Sequence, residues 1–316
     1  MRLKILKMKR SSLFFVCLFF CSTLHAFSLN PCQETKVETT TAGATEKYVY
    51  KTYLDKKNDQ KELHIALARP VDDLPVKKRP LVIGLQGSAF VDTCFLDPCY
   101  VKYSDNVLKP YFASHGFVTA SIQYRLNSPL DFLKITDEKL KETHYKAIQD
   151  AREAIRYIFA NADKFGVDTG NVFLVGTSAG AITALHSVYL ADDEVPKELP
   201  EKYGKLEKRE NIKAVISLSG AIYDLSYLEG DEKIPLMLVH GKDDGIVPFE
   251  KGYYLGLKKL TPVFGGKAIY DEAVKRTIPV KGYFYDFGHE YPGTLQKQIY
   301  KNANDFIRGY LTCLKS

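Results

Sequence analysis

Short apolar runs recur along this chain, and segments with helical spacing separate them. Leu81–Leu85 and Phe117–Ile122 carry no charge, as expected of parallel strands buried on both faces. Val172–Val175, Lys213–Leu218, Leu236–Val239 and Val280–Tyr285 read as further strands. Between and after them, Val107–Ser114, Thr143–Asn161, Ala179–Leu190, Glu250–Leu260 and Leu295–Leu311 read as helices. In the second of these, Ile148, Ala151, Ile155 and Ile158 fall three or four apart and share one face. Strands separated by helices leave few options: an α/β domain with a mostly parallel central sheet and helices on both faces. Tyr48–Leu54 and Leu63–Ala68 alternate around a polar turn and predict an opening hairpin. The charged stretch 192–210, with two prolines, breaks the rhythm and reads as a surface insertion.

Residues 1–26 stand apart from this domain. Arg2, Lys4, Lys7, Lys9 and Arg10 precede the apolar core Leu13–Cys21, and small or polar residues lead to Ala26. That order predicts a signal peptide cleaved after Ala26, leaving 27–316 as one catalytic domain of a secreted or periplasmic protein. About nine apolar residues fall short of the roughly 20 that span a bilayer, so no stable membrane anchor is expected. The leader carries five of the 44 basic residues and none of the 38 acidic ones, leaving 39 against 38. A near-neutral mature chain offers no electrostatic case for nucleic acid.

Cys32, Cys94, Cys99 and Cys313 remain after cleavage. An even count in an exported chain predicts disulfides: Cys94 with Cys99 locally, and Cys32 with Cys313 between the termini. No spacing resembles a metal site, and no metal is expected.

The strongest local signal is Gly176-Thr177-Ser178-Ala179-Gly180, set between an apolar strand and an apolar helix. A serine held on such a turn is exposed for attack, and the helix start directs N–H groups at the reacting oxygen. The serine needs a base, and the base needs a carboxylate. Asp244 follows the strand Leu236–Val239, and His289 follows the strand Val280–Tyr285. Both lie at carboxyl ends of strands, where open α/β sheets build their sites. Asp243 is the neighbouring alternative acid. His240 competes with His289 as base, although holding the turn that presents Asp244 suits it better. The other histidines fall within strands, helices or their ends and read as structural. The oxyanion donors are expected from Ala179 and from the loop Gln86-Gly87-Ser88-Ala89-Phe90.

That loop resembles the His-Gly-Gly-Gly segment of the carboxylesterase and hormone-sensitive-lipase-like branch of the α/β hydrolases. Ala120-Ser121-Ile122-Gln123-Tyr124-Arg125-Leu126 resembles the same branch's Tyr-Arg-Leu strand end. Ala147–Tyr157, Phe165–Gly180 and His240–Pro248 match its other blocks, so the likeness covers roughly residues 60–310. The resemblance implies the α/β-hydrolase fold and ester hydrolysis through an acyl-enzyme, without a cofactor. It also implies that the N–H groups of Ser88, Ala89 and Ala179 bind the oxyanion. Gln86, Ser88 and Ala89 depart from the usual His and Gly, which bears on the loop's conformation because positive φ suits Ser and Ala poorly.

The partner implied is a small-molecule or polymer-linked ester. The aromatic segment Cys94–Tyr100 reads either as the rim of its pocket or as a clipped surface loop. Two other classes remain open from sequence: a peptidase related to prolyl oligopeptidases, and a non-catalytic binding protein on the same fold. The natural ester and the oligomeric state are not encoded in any pattern found.

Overall fold

The computed structural model describes residues 41–71, 78–91 and 98–312. The expected leader, Cys32, Cys94 and Cys313 lie outside those residues. Eight strands form the main sheet: β1 (Glu46–Leu54), β2 (Gln60–Ala68), β3 (Arg79–Leu85), β4 (Val118–Ile122), β5 (Val167–Thr177), β6 (Ala214–Leu218), β7 (Leu236–Gly241) and β8 (Val280–Tyr285). Their spatial order is β1-β2-β4-β3-β5-β6-β7-β8. The hairpin β1–β2 is antiparallel, with a register shift at Tyr50, and β2 meets β4 antiparallel. Every later pairing is parallel. The chain runs from β3 outward to β4, then back across β3 to β5. The sheet's switch in direction therefore falls between β3 and β5, where α/β sheets open a crevice at the strand ends.

Side-chain alternation explains how one sheet is buried on both faces. Leu81, Ile83 and Leu85 of β3 enter one core with Leu174, Val215 and Leu238. Val82 enters the other with Phe173, Val175, Ile216 and Val239. The first face is covered by α1 (Asp137–Ala160), α2 (Ala179–Tyr189) and α3 (Gly266–Lys275), and the second chiefly by α4 (Gly293–Arg308). The helical run Cys99–His115 also covers the second face, with a wide turn at Ser104–Leu108 inside it.

The structure corrects two readings. The long helix begins at Asp137, earlier than its apolar spacing shows, because the Thr136 side chain accepts from Lys139 N–H at 3.3 Å and acidic residues fill the first turn. The helix expected at Glu250–Leu260 is instead a two-residue strand at Lys251–Gly252, paired with Val263–Gly265, and one turn at Tyr254–Gly256. Leu255 stands at φ 54° there, a conformation no helix continues through, and its apolar neighbours turn into a cavity. The helix falls later, at α3. Residues 192–210 fit a surface insertion: apart from Val195 and Leu206, residues 193–210 are exposed or half-buried. They form a turn at Asp192–Glu194 and a helix at Glu198–Tyr203, and Val195 and Leu206 are buried against Tyr145 and Ile148 of α1.

Candidate active site

Strand β5 ends at Thr177 and α2 starts at Ala179, so Ser178 alone makes the turn, at φ 53° and ψ −121°. A side chain is rarely held at positive φ, and the neighbours show what holds this one. Its N–H donates to Leu218 C=O at the end of β6 (2.8 Å), and its C=O accepts from Ile182 (3.0 Å). The two flanking glycines are required by close approach. A Cβ at Gly176 would lie 2.5 Å from the Ala181 Cα, and one at Gly180 would lie 2.0 Å from the Leu85 carbonyl oxygen. The turn therefore presses directly against the end of β3.

Ser178 Oγ lies 2.8 Å from His289 Nε2, and His289 Nδ1 lies 2.7 Å from Asp244 Oδ2. A carboxylate only accepts, so Nδ1 carries the proton and Nε2 is left to accept from the serine hydroxyl. The other Asp244 oxygen accepts from the N–H groups of Ile246 and Val247, both at 2.9 Å. Burial opposes its ionisation. Hydrogen bonds from His240 and His289, with the Val247 N–H behind them, outweigh that and hold the carboxyl well below the usual range.

His289 and not His240 reaches Ser178. His240 is fully buried, and its Nδ1 accepts from Gly266 N–H at 3.1 Å. Its Nε2–H therefore points at Val247 C=O (3.1 Å) and Asp244 Oδ2 (3.3 Å). The ring holds the turn that presents the acid. Asp243 is exposed, while Asp244 is buried and in contact with the imidazole.

The loop after β3 lies alongside. A Cβ at Gly87 would meet the Thr177 carbonyl oxygen at 2.8 Å, so this loop rides on the serine turn. Tyr124 Oη donates to Gln86 C=O at 2.6 Å and pins its start, while Ser88 C=O accepts from Val91 N–H at 2.8 Å. Ala89 and Phe90 take φ of 51° and 59°. Ala89 stands where the resembling segment has glycine, and the left-handed backbone at Ala89 and Phe90 is kept at a cost of order 1 kcal/mol per residue. Ala89 and Ala179 line the same cavity as Ser178, and the Ala179 N–H, in the first turn of α2, has no partner within its helix.

That cavity, about 140 Å³, is almost wholly apolar. Its lining includes Phe132, Ile135, Leu140 and His144 on one side, and Tyr254 and Leu260 on the other. Phe132, Ile135 and Leu140 fall outside every element read from the sequence, whereas His144, Tyr254 and Leu260 fall in segments read as helices with nothing to mark them as lining. Tyr100, the end of the aromatic segment proposed as a pocket rim, is instead buried and stacked at 6.0 Å on His64 of β2. Cys94 and its neighbours 92–97 lie outside the described residues.

An eight-stranded, mostly parallel sheet with a serine at the strained strand-to-helix turn beside its switch point is the α/β-hydrolase fold. Comparison with known proteins gives the family: the profile of the BD-FAE family matches residues 73–234, about half of the chain, and the chain belongs to it. Among curated proteins, it is similar to Lipase 2 of Geotrichum candidum, 29% identical over 129 residues, covering 40% of this chain and 22% of that protein. It is also similar to Esterase LipC of Mycobacterium tuberculosis, 30% identical over 133 residues, covering 41% and 28%. The aligned part thus spans about a quarter of those relatives' length. Among solved structures, esterase 2 of Thermogutta terrifontis phosphorylated by paraoxon superposes with a TM-score of 0.56 at 20% identity, covering 84% of this chain and 93% of that one. Its propionate-bound form superposes with a TM-score of 0.56 at 18% identity, over 84% and 93% of the two chains.

Proposed function

We propose that this protein is a serine ester hydrolase working through an acyl-enzyme. The observation that carries the proposal is the continuous chain of contacts from Ser178 Oγ through His289 to Asp244 Oδ2. His289 Nε2 takes the hydroxyl proton as Oγ attacks the ester carbonyl. The N–H groups of Ala89 and Ala179, with that of Ser88, receive the oxyanion. Nε2 then returns the proton to the leaving alcohol, and the carbonyl re-forms as the acyl-serine. In the second half, His289 takes a proton from water, hydroxide adds to the acyl carbon, and Oγ leaves with that proton as the free acid departs. Asp244 keeps the imidazole in its working tautomer and stabilises the cation.

The apolar cavity beside Ser178 suits the acyl side of a small-molecule or polymer-linked ester. Its volume is close to that of an apolar cavity of about 150 Å³ that holds benzene, so an acyl group of about six carbons fits. The paraoxon adduct and the propionate complex of the Thermogutta esterase support the same reading. Export by the leader 1–26, with Cys94 paired to Cys99 and Cys32 to Cys313, completes the proposal.

A fluorophosphonate probe tests it. The protein should take up one probe per chain on Ser178 and should hydrolyse p-nitrophenyl butyrate, both abolished in Ser178→Ala. An unlabelled wild-type protein, or a Ser178→Ala variant with full activity, rejects the mechanism. Peptide anilides cleaved faster than acyl esters would move the enzyme to the peptidases.

A further inference from the structure

Behind the cavity at Ser178 lies a second one, about 270 Å³, between α1, α2 and the segment that follows α2. Ile148, Leu190, Val195 and Tyr223 wall it, and Lys141 and the exposed Asp224 contribute polar groups. Among the described residues, His144 is the one side chain that both linings share. It is a wall between two spaces.

The way this ring is held is unusual for a core residue. Tyr223 Oη lies 2.7 Å from its Nδ1, and the phenol is the better donor of the two, so the proton is donated to Nδ1. Nε2 therefore keeps its own hydrogen, yet it is buried and meets no hydrogen-bond partner among the described residues. Phe90 packs on the ring at a centroid distance of 4.2 Å, and Tyr254 meets it edge-on at 5.8 Å. Its other cavity neighbour on α1, Leu140, is aliphatic. A purely structural partition would be apolar there too, and an unmet buried donor calls for a reason. Burial, then the neighbouring His186, holds its titration well below the ordinary histidine value, so the ring that an acyl chain would meet is uncharged.

We propose that His144 is a specificity-determining residue: its ring closes the acyl cavity and sets the longest acyl chain the enzyme accepts. This rests on the ester-hydrolase reading above. Chains that fit within the first cavity stop short of the ring. Longer ones need the space behind it, which becomes continuous with the first only when the ring is removed or displaced.

The test compares kcat/KM for p-nitrophenyl decanoate and butyrate in the full-length protein, His144→Ala and His144→Leu. Opening the partition should raise the decanoate-to-butyrate ratio of His144→Ala at least about tenfold, the discrimination that one or two methylenes supply in an apolar pocket. His144→Leu, close in volume, should keep the wild-type ratio. An unchanged ratio in His144→Ala, or an equal shift in His144→Leu, overturns the proposal. Should thermal melting show His144→Ala unfolded, His144→Val makes the same comparison. Binding of 1-decanol and 1-butanol by calorimetry, in the Ser178→Ala background, separates this inference from the hydrolase reading. A decanol gain upon opening, when the protein with Ser178 intact turns over no ester, keeps the partition and rejects hydrolysis. No gain in either assay rejects the partition.

Discussion

Replacing Asp244 by Asn changes one atom at the centre of the site, and the hydrogen bonds around it dictate the result. Oδ1 must go on accepting from Ile246 and Val247 N–H, each at 2.9 Å, so the new amide nitrogen takes the position of Oδ2. There it faces two N–H donors, His289 Nδ1 at 2.7 Å and His240 Nε2 at 3.3 Å. His240 cannot change tautomer, because its Nδ1 is held by Gly266 N–H, but Val247 C=O still receives its proton. His289 can change, and it will. With Nδ1 accepting from the amide, Nε2 carries the proton and donates to Ser178, leaving no base for the hydroxyl. The expected loss in kcat is about 10⁴, by analogy with triad acids, or about 5 kcal/mol of barrier. Stability should fall by only about 1–3 kcal/mol, the range for one disturbed buried polar contact. Asp243→Asn alters an exposed side chain and should change kcat by less than about threefold. Steady-state hydrolysis of p-nitrophenyl butyrate, with active sites counted by a fluorophosphonate and stability taken from urea unfolding, reads all three numbers. An Asp244→Asn enzyme within tenfold of wild type, or a larger loss in Asp243→Asn, would refute this account of the acid.

Three further outcomes follow from the same geometry, and a fourth from the cysteine positions in the sequence. Ser178→Gly should be more stable than Ser178→Ala by about 1 kcal/mol in urea unfolding, because glycine accepts the φ of 53° without strain. Gly180→Ala forces a methyl to within 2.0 Å of the Leu85 carbonyl; it should cost about 1–3 kcal/mol and lower kcat with it, by displacing the loop that carries Ala89. Asp244 titrates lower in the folded chain than in the unfolded one, so its contribution is complete above about pH 4 and is lost as pH falls below that; the acid limb of unfolding free energy against pH should be shallower in Asp244→Asn. Peptide mapping of non-reduced protein from an oxidising host should find Cys94 linked to Cys99 and Cys32 to Cys313, and a Cys94–Cys313 link would redraw that framework.

Some of this molecule is local and was readable from the chain alone. Leu81–Leu85 and Val172–Val175 are buried on both faces, so their strand character shows as uninterrupted apolar residues without reference to any partner. The turn at Ser178 is also local: Gly176 and Gly180 are where neighbouring backbone comes too close for a side chain, and that requirement is written into adjacent positions. The order of serine, acid and histidine, each after a strand end, follows from the same alternation. Other features depend on which surfaces meet. Spacing to Val247-Pro248 already favours Asp244 over Asp243, but only the turn held by His240 shows why: it buries one and exposes the other. Glu250–Leu260 has apolar residues at near-helical spacing, but Tyr254 and Leu260 are drawn into the cavity and the helix forms downstream. His144 sits on the amphipathic face of α1 like any core residue. Its place between two cavities is created by Phe90, Tyr223 and Tyr254, which arrive from three other parts of the chain. Periodicity reports which side of an element faces inward; it carries no information about what is packed opposite, because that contact is made only when distant segments close on one another.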